Sequence, residues 1–168
     1  MGLHAKKDQK YLFIDGCNLL ANAAHTATKW TKAVASDVLS YDKSAADETT
    51  TFEGNLLHGV HCDALVGSRI DKLVLHYTVG AAALDAVPTF ELHKVTFNAT
   101  TNVPTGAAVA LTGTTSKAVG SHAIEFTPTS TLTYAQGDVI NFELVFNAAE
   151  TSTIKVYGLK LYFTPAGE

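Results

Sequence analysis

One stretch limits the fold of this chain more than any other: Gly137 to Thr164, reading GDVINFELVFNAAETSTIKVYGLKLYFT. Ile140, Phe142, Leu144 and Phe146 alternate with Asn141, Glu143, Val145 and Asn147. Successive side chains of a β-strand point to opposite faces, so the four large apolar groups share one face. The small polar run from Asn147 to Ser152 suits a turn. In the strand that follows, Ile154 and Val156 share one parity, while Leu159, Leu161 and Phe163 share the other. The switch falls at Tyr157-Gly158. One inserted residue changes the parity of every later position, which predicts a β-bulge there, with Gly158 taking backbone angles that other residues avoid. Two long strands with one apolar face each require a second sheet to cover them.

The rest of the chain supplies short strands. Period-two or β-rich runs occur at Tyr11 to Ile14, Val38 to Asp42, Thr49 to Leu57, Ile70 to Val79, Thr89 to Phe97, Ala107 to Leu111 and Ser121 to Thr127. Phe90 and Leu92 differ in parity from Val95 and Phe97, which predicts another bulge near His93-Lys94. Asn18 to Val34 is read as irregular. Leu19, Leu20, Ala23, Ala27, Trp30 and Val34 trace a helical stripe that Asn18 can cap, but Thr26, Thr28 and Thr31 weaken a helix. No helical segments alternate with the strands, so a parallel α/β sheet is excluded. The expectation is an all-β chain: an antiparallel two-sheet sandwich, jelly-roll-like, spanning residues 11 to 168 as a single domain. An extended N-terminal arm, residues 1 to 10, precedes it.

The chain has 168 residues and a formal net charge of -4. Without a cluster of Lys and Arg to displace counterions, nucleic acid is not an expected partner. No run is long enough to cross a bilayer, so no membrane is expected either. The opening MGLHAKKDQK leads into a four-residue apolar run, which does not read as a secretory signal, and Lys6 breaks the pattern for N-myristoylation. Cys17 and Cys62 are expected to be free thiols.

His58-Gly-Val-His61-Cys62 is the one ligand-like cluster in the sequence. A structural zinc site needs four ligands, and this spacing supplies three, so the reading is two loop histidines beside a small thiol, with no cofactor. There is no nucleophile elbow, Walker loop or dinucleotide fingerprint, and no enzyme is expected. Asp42, Asp47, Glu48 and Glu53 read as a solvated acidic region rather than a calcium site. Asn98-Ala-Thr100 fits a glycosylation sequon by chance, and His76 and His93 read as packed or surface side chains. The aromatic residues are more informative. Tyr157 and Tyr162 fall opposite the apolar face of the last strand, with Lys155 and Lys160 beside them. With Tyr41, Tyr77, Tyr134 and Trp30, they suit a platform on which sugar rings stack. A Tyr/Lys stripe is equally the composition of a protein interface.

The segments VLSYDKSAADETTTFEGNLL, RIDKLVLHYTV and GDVINFELVFNAAETSTIKVYGLKLYFT together resemble small β-sandwich virion proteins of tailed bacteriophages. In that group an aromatic-Asp strand leads through a polar turn to an aromatic strand. The chain then closes on a Gly-Asp strand, a polar turn and a hydrophobic-Gly-hydrophobic strand. Gly137, Asp138 and Gly158 match these positions, and the resemblance covers Val38 to Thr164. It implies a virion location and a capsid decoration or cement protein that clamps neighbouring shell subunits. The partners it implies are the major capsid protein and copies of the chain itself, as a homotrimer. The alternative it implies is a tail or fibre module that binds host carbohydrate. The partner-binding residues expected are Lys6, Lys7 and Lys10 of the basic arm, with Trp30, Tyr157 and Tyr162.

Overall fold

The computed structural model describes the backbone of residues 10–15, 20–21, 30–35, 38–43, 48–58, 65–98, 100–148 and 151–167. It describes the side chains of residues 10–12, 65–98, 100–147 and 151–167. Among these residues there are thirteen strands: β1 Lys10–Asp15, β2 Leu20–Ala21, β3 Trp30–Ala35, β4 Val38–Lys43, β5 Glu48–His58, β6 Arg69–Gly80, β7 Thr89–Phe97, β8 Pro104–Val109, β9 Leu111–Thr112, β10 Gly120–Pro128, β11 Leu132–Thr133, β12 Val139–Ala148 and β13 Thr153–Thr164. They form two antiparallel sheets. The first runs β3-β4-β13-β6-β10-β9, with β1 also paired to β13 and β11 to β6. The second runs β2-β5-β12-β7-β8. The chain is therefore the expected all-β two-sheet sandwich.

The core lies between β6 and β13 of the first sheet and β12 and β7 of the second. Ile140, Phe142, Leu144 and Phe146 of β12 are buried and meet Leu73, Leu75, Tyr77 and Val79 of β6. Phe90 stacks on Phe126 with centroids 4.5 Å apart, and the Phe146 ring meets Tyr77 edge-on at 5.4 Å. A fully buried side chain of this size contributes roughly 1.5–3 kcal/mol, so these rows are the main source of stability.

The expected bulge at Tyr157-Gly158 is present. Val156 pairs with Tyr77 and Gly158 with His76, so one extra residue of β13 is absorbed between them. Gly158 has φ 134°, a conformation that L side chains rarely adopt. The bulge returns Leu159, Leu161 and Phe163 to the core face that Ile154 and Val156 already occupy. It also marks a change of neighbour. Ile154 to Val156 pair with β4, whereas Gly158 to Phe163 pair with β1. A second irregularity, where Tyr162 pairs with Lys72 and Phe163 with Ile70, has the same effect on β6. Leu73 to Val79 pair with β10, and Arg69 and Ile70 with β11.

Two buried polar anchors hold loops onto this frame. The Tyr77 hydroxyl donates to the Ser116 carbonyl at 2.6 Å and accepts from the Ser116 N–H at 2.7 Å, tying down the loop between β9 and β10. Burial raises the Tyr77 pKa, so the phenol stays protonated as the donor. Asp138, 5% exposed, accepts from the Ala135 N–H at 2.9 Å and pairs with Lys94 at 2.7 Å. With Gly137 at φ 83°, the Gly-Asp pair is a turn lock that joins the approach to β12 to β7.

Several expectations are corrected. Residues 30–35, expected to be irregular, are a strand: Trp30 to Ala35 pair in register with Lys43 to Val38. The β-favouring Thr31 and Val34 and a sheet edge to join outweigh the helical spacing. No bulge occurs at His93-Lys94. β7 pairs regularly with both β12 and β8, so Val95 and Phe97 sit on the outer face, and Phe97 is 52% exposed. Lys10 belongs to β1 rather than to the arm. The connection from Pro128 to Gly137 contains the two-residue β11. A substitution at the bulge tests the fold directly. Gly158→Ala forces a β-carbon into a disfavoured backbone region and is expected to cost about 1–3 kcal/mol, read from urea denaturation midpoints. A variant as stable as the parent would show that the bulge does not need glycine.

Candidate functional site

The outer face of the first sheet carries the aromatic and basic residues. Antiparallel pairing puts directly opposed residues on the same side, so register alone builds the rows. Tyr11 of β1 opposes Tyr162 of β13, which opposes Lys72 of β6. In the next row Lys160 opposes Val74, which opposes Glu125 of β10. The row after that is Gly158, His76 and Ala123, and then Lys155, Thr78 and Ser121. The face exists because β13 and β6 give their alternate positions to the core.

The Tyr11 and Tyr162 rings are 5.7 Å apart and inclined at 42°. Tyr11 is 58% exposed. Lys72 Nζ stands 5.0 Å from the centre of the Tyr162 ring, and Lys160 Nζ 5.4 Å from that of Tyr11. Each contact contributes about 0.5–1 kcal/mol at an exposed site and fixes where the ammonium groups rest. Lys72 also pairs with Glu125 at 2.6 Å, and this hydrogen bond raises its pKa. At the end of the tyrosine row, Arg69 pairs with Asp71 at 2.7 Å, and the Thr164 hydroxyl donates to Asp71 at 2.8 Å. Arg69 and Asp71 border a cleft of about 440 Å³ whose other wall is Pro128, Thr129, Ser130 and Thr131. The face thus offers two rings, two ammonium groups and a polar cleft on rigid strands.

The expected partner-binding residues are only partly brought together. Tyr162 is central to the face. Tyr157 stands in the bulge, its hydroxyl 3.5 Å from that of Thr78. Lys10 opposes the buried Phe163, so its parity separates it from the Tyr11 row. Trp30 begins β3, and its side chain lies outside the described residues, as do Lys6 and Lys7. Tyr77 and Tyr134 are buried and do not join a platform. Residues 61–62 of the His/Cys cluster, Cys17, and the side chains of Asp42, Asp47, Glu48, Glu53 and His58 are outside the described residues. Tyr11, Lys72 and His76 are the members of the face that sequence reasoning passed over. Their signal was cross-strand register, which no single segment shows. The sequon at Asn98 has a structural use: its side-chain carbonyl accepts from the N–H groups of Thr100 and Thr101, both at 2.9 Å.

The outer face of the second sheet differs. Glu143 opposes Glu91 on one side and the Glu53 position on the other. Asn141 opposes His93, whose Nε2 lies 3.4 Å from Glu91. This face is acidic and carries no exposed ring pair among the described residues.

No family model matches the chain, and no curated protein does. Among solved structures it is similar to a family two carbohydrate esterase from Cellvibrio japonicus, with TM-score 0.46 and 8% identity over 95% of this chain and 36% of that one. The insecticidal crystal protein Cry2Aa gives TM-score 0.46 and 11% identity over 96% of this chain and 23% of that one. A family 61 carbohydrate-binding module in complex with beta-1,4-galactotriose gives TM-score 0.39 and 10% identity, over 94% and 88%. The chain therefore spans well under two thirds of the first two proteins.

His76 generates a pH prediction. Its Nε2 is buried and has no hydrogen-bond partner among the described residues. Burial lowers its pKa from 6.5, and the nearby Lys160 charge lowers it further. The unfolded chain takes up this proton at higher pH than the folded one. Stability is therefore intact above about pH 6.5 and falls as pH drops through that value toward the folded pKa. His76→Gln is expected to remove this part of the acid-side loss, measured by comparing both proteins' unfolding midpoints at about pH 7.5 and about pH 5. Parallel losses would show that His76 does not titrate differently on folding.

Proposed function

We propose that the chain is a non-catalytic carbohydrate-binding domain that holds a glycan on the outer face of its first sheet. The observation that carries this reading is the Tyr11–Tyr162 pair, flanked by Lys72 and Lys160. A pyranose ring presents an apolar C–H face to an aromatic ring and hydroxyl groups at its rim. The face supplies both complements: rings for stacking, and ammonium and carboxylate groups as donors and acceptors. The strands beneath hold these groups in place before the ligand arrives, which reduces the ordering cost of binding. Asp71 and Glu125 are held in ion pairs, which suits a recognition role better than acid–base work. The resemblance to tailed-phage virion proteins supplies the setting: a tail or fibre module in contact with host-surface sugars.

Glycan-array screening followed by titration calorimetry tests this. Tyr11→Ala and Tyr162→Ala are each expected to weaken binding about tenfold, the loss of roughly one stacking contact. An array without hits for the wild-type chain, or tyrosine variants that bind normally, would overturn it.

One observation favours the second reading, a decoration protein that packs against copies of itself and the major capsid protein. β8, Pro104 to Val109, is the outermost strand on its side of the second sheet, and it carries no charged residue. Exposed Val103 precedes it, and exposed Phe97 of β7 pairs opposite Pro104. Neutral, small-residue edges are templates for pairing with another strand. Sedimentation at high concentration is expected to show an oligomer, the homotrimer of this reading, that Ala107→Lys dissociates; a monomer throughout would remove this reading.

A further inference from the structure

Among the described side chains, the charge balance of the tyrosine face is opposite in sign to that of the chain. The chain carries -4 overall. The described side chains of the face include Arg69, Lys72, Lys155 and Lys160 against Asp71 and Glu125, both already in ion pairs, while Asp15 and Asp42 share its rows with side chains outside the described residues. Lys160 differs from its neighbours. Its ammonium group rests over the Tyr11 ring, and among the described residues it has no carboxylate partner. One row along the sheet lies His76, whose buried Nε2 has no partner among the described residues. The neighbours of His76 in its own row are Gly158 and Ala123, so no long side chain separates it from Lys160 on β13.

We propose that the glycan is an anionic one, with an acidic substituent held by Lys160 Nζ beside the Tyr11 ring and with His76 next to it. This rests on the glycan reading above and adds the substrate class. A sugar stacked on Tyr11 places its ring edge beside the ammonium group that stands over the same ring. A carboxylate or phosphate there gains a charge-assisted hydrogen bond. The same anion offsets the Lys160 charge at His76, so binding draws a proton onto the imidazole and tightens as pH falls. The other titratable or charged groups around His76 are Tyr157 and Lys155 on β13, Glu125 on β10 and Lys72 on β6, with Asp15 of β1 in its register row. Glu125 is paired with Lys72, and Lys160 is the charge that, after burial, lowers the His76 pKa.

The test uses the full chain and three probes: an oligoglucuronide, its carboxyl-reduced oligoglucoside, and a phosphodiester-linked sugar oligomer. The wild type is expected to bind one anionic probe at least about tenfold more tightly than the neutral one at low salt. The anionic probe bound more tightly identifies carboxylate or phosphate as the group recognised. Lys160→Met keeps the apolar stem and is expected to abolish this preference. The imidazole signals of His76 in NMR titrations are expected to move to higher pKa with the anionic probe bound, a change that a purely structural role would not produce. Equal affinity for neutral and anionic probes, or an undiminished preference in Lys160→Met, would overturn the anionic assignment and leave stacking intact. Failure to bind any of the three, with no hit on the array, would overturn the glycan reading and this inference with it.

Discussion

The extra residue at Tyr157-Gly158 is the constraint on which the rest of the structure depends. Strict alternation would carry Leu159, Leu161 and Phe163 to the solvent side and turn Lys160 and Tyr162 into the core. Three buried apolar side chains at roughly 1.5–3 kcal/mol each outweigh the cost of one irregular backbone position, and glycine keeps that cost low. The bulge restores the core and, by the same step, creates the binding face. It also sets the neighbours. β13 is flanked by β4 before the bulge and by β1 after it, so the local rise in twist at a bulge coincides with the change from one partner to the next. β6 repeats the arrangement at Asp71 with β10 and β11. Two central strands, equal in length and paired with each other, are thus flanked along most of their length by shorter ones. Tyr11 reaches Tyr162 only because β1 occupies the second half of β13.

Rigidity beneath the face comes from polar anchors on the inner side. The Tyr77 hydroxyl satisfies both the N–H and the carbonyl of Ser116, and its ring packs against Phe146. Tyr77 alternates along β6 with His76 and Thr78, so the residue that fixes the loop below also fixes the backbone that carries the notch above. The Ser152 hydroxyl donates to the Ala83 carbonyl at 2.8 Å, and Thr115 Oγ1 donates to the Pro88 carbonyl. Each such buried bond contributes about 1 kcal/mol net, but removing one partner costs more, because the other is left without water.

Much of the fold was legible because burial enforces period two. The core rows of β6 and β12, the bulge at Gly158 and the turn lock at Gly137-Asp138 all follow from which side chains cannot face water. Residues 30–35 were not legible for the same reason: Ala33 and Ala35 are too small to mark a face, and the spacing of Trp30 and Val34 fits a helix as well as a hairpin strand. The bulge expected at His93-Lys94 failed because Val95 and Phe97 were assumed to need burial, and apolar side chains on outer faces are common. The candidate site was half legible. Tyr162, Lys160 and Tyr157 declared themselves by lying opposite an apolar stripe. Tyr11, Lys72 and His76 did not, since their place on the face depends on which strands become neighbours, and pairing between residues as distant as Tyr11 and Tyr162 leaves no mark in either segment.

The two outer faces differ in charge, which under the proposed glycan reading favours recognition on one of them. Glu143 directly opposite Glu91 is a repulsive pair, tolerable where both carboxylates reach water, and such a face attracts cations and repels acidic polymers. On the first sheet Asp71 and Glu125 are neutralised locally, and an ammonium group with no carboxylate partner among the described residues rests over a tyrosine ring. His76 adds to this imbalance. A buried imidazole nitrogen without a partner costs roughly 1–3 kcal/mol, and a fold with a well-packed core can carry that cost at one position. An anion at Lys160 makes the proton on His76 favourable and recovers part of it. The stability spent in the unbound protein and the selectivity gained in the bound one are then two sides of the same interaction, held in place by the glycine next to it.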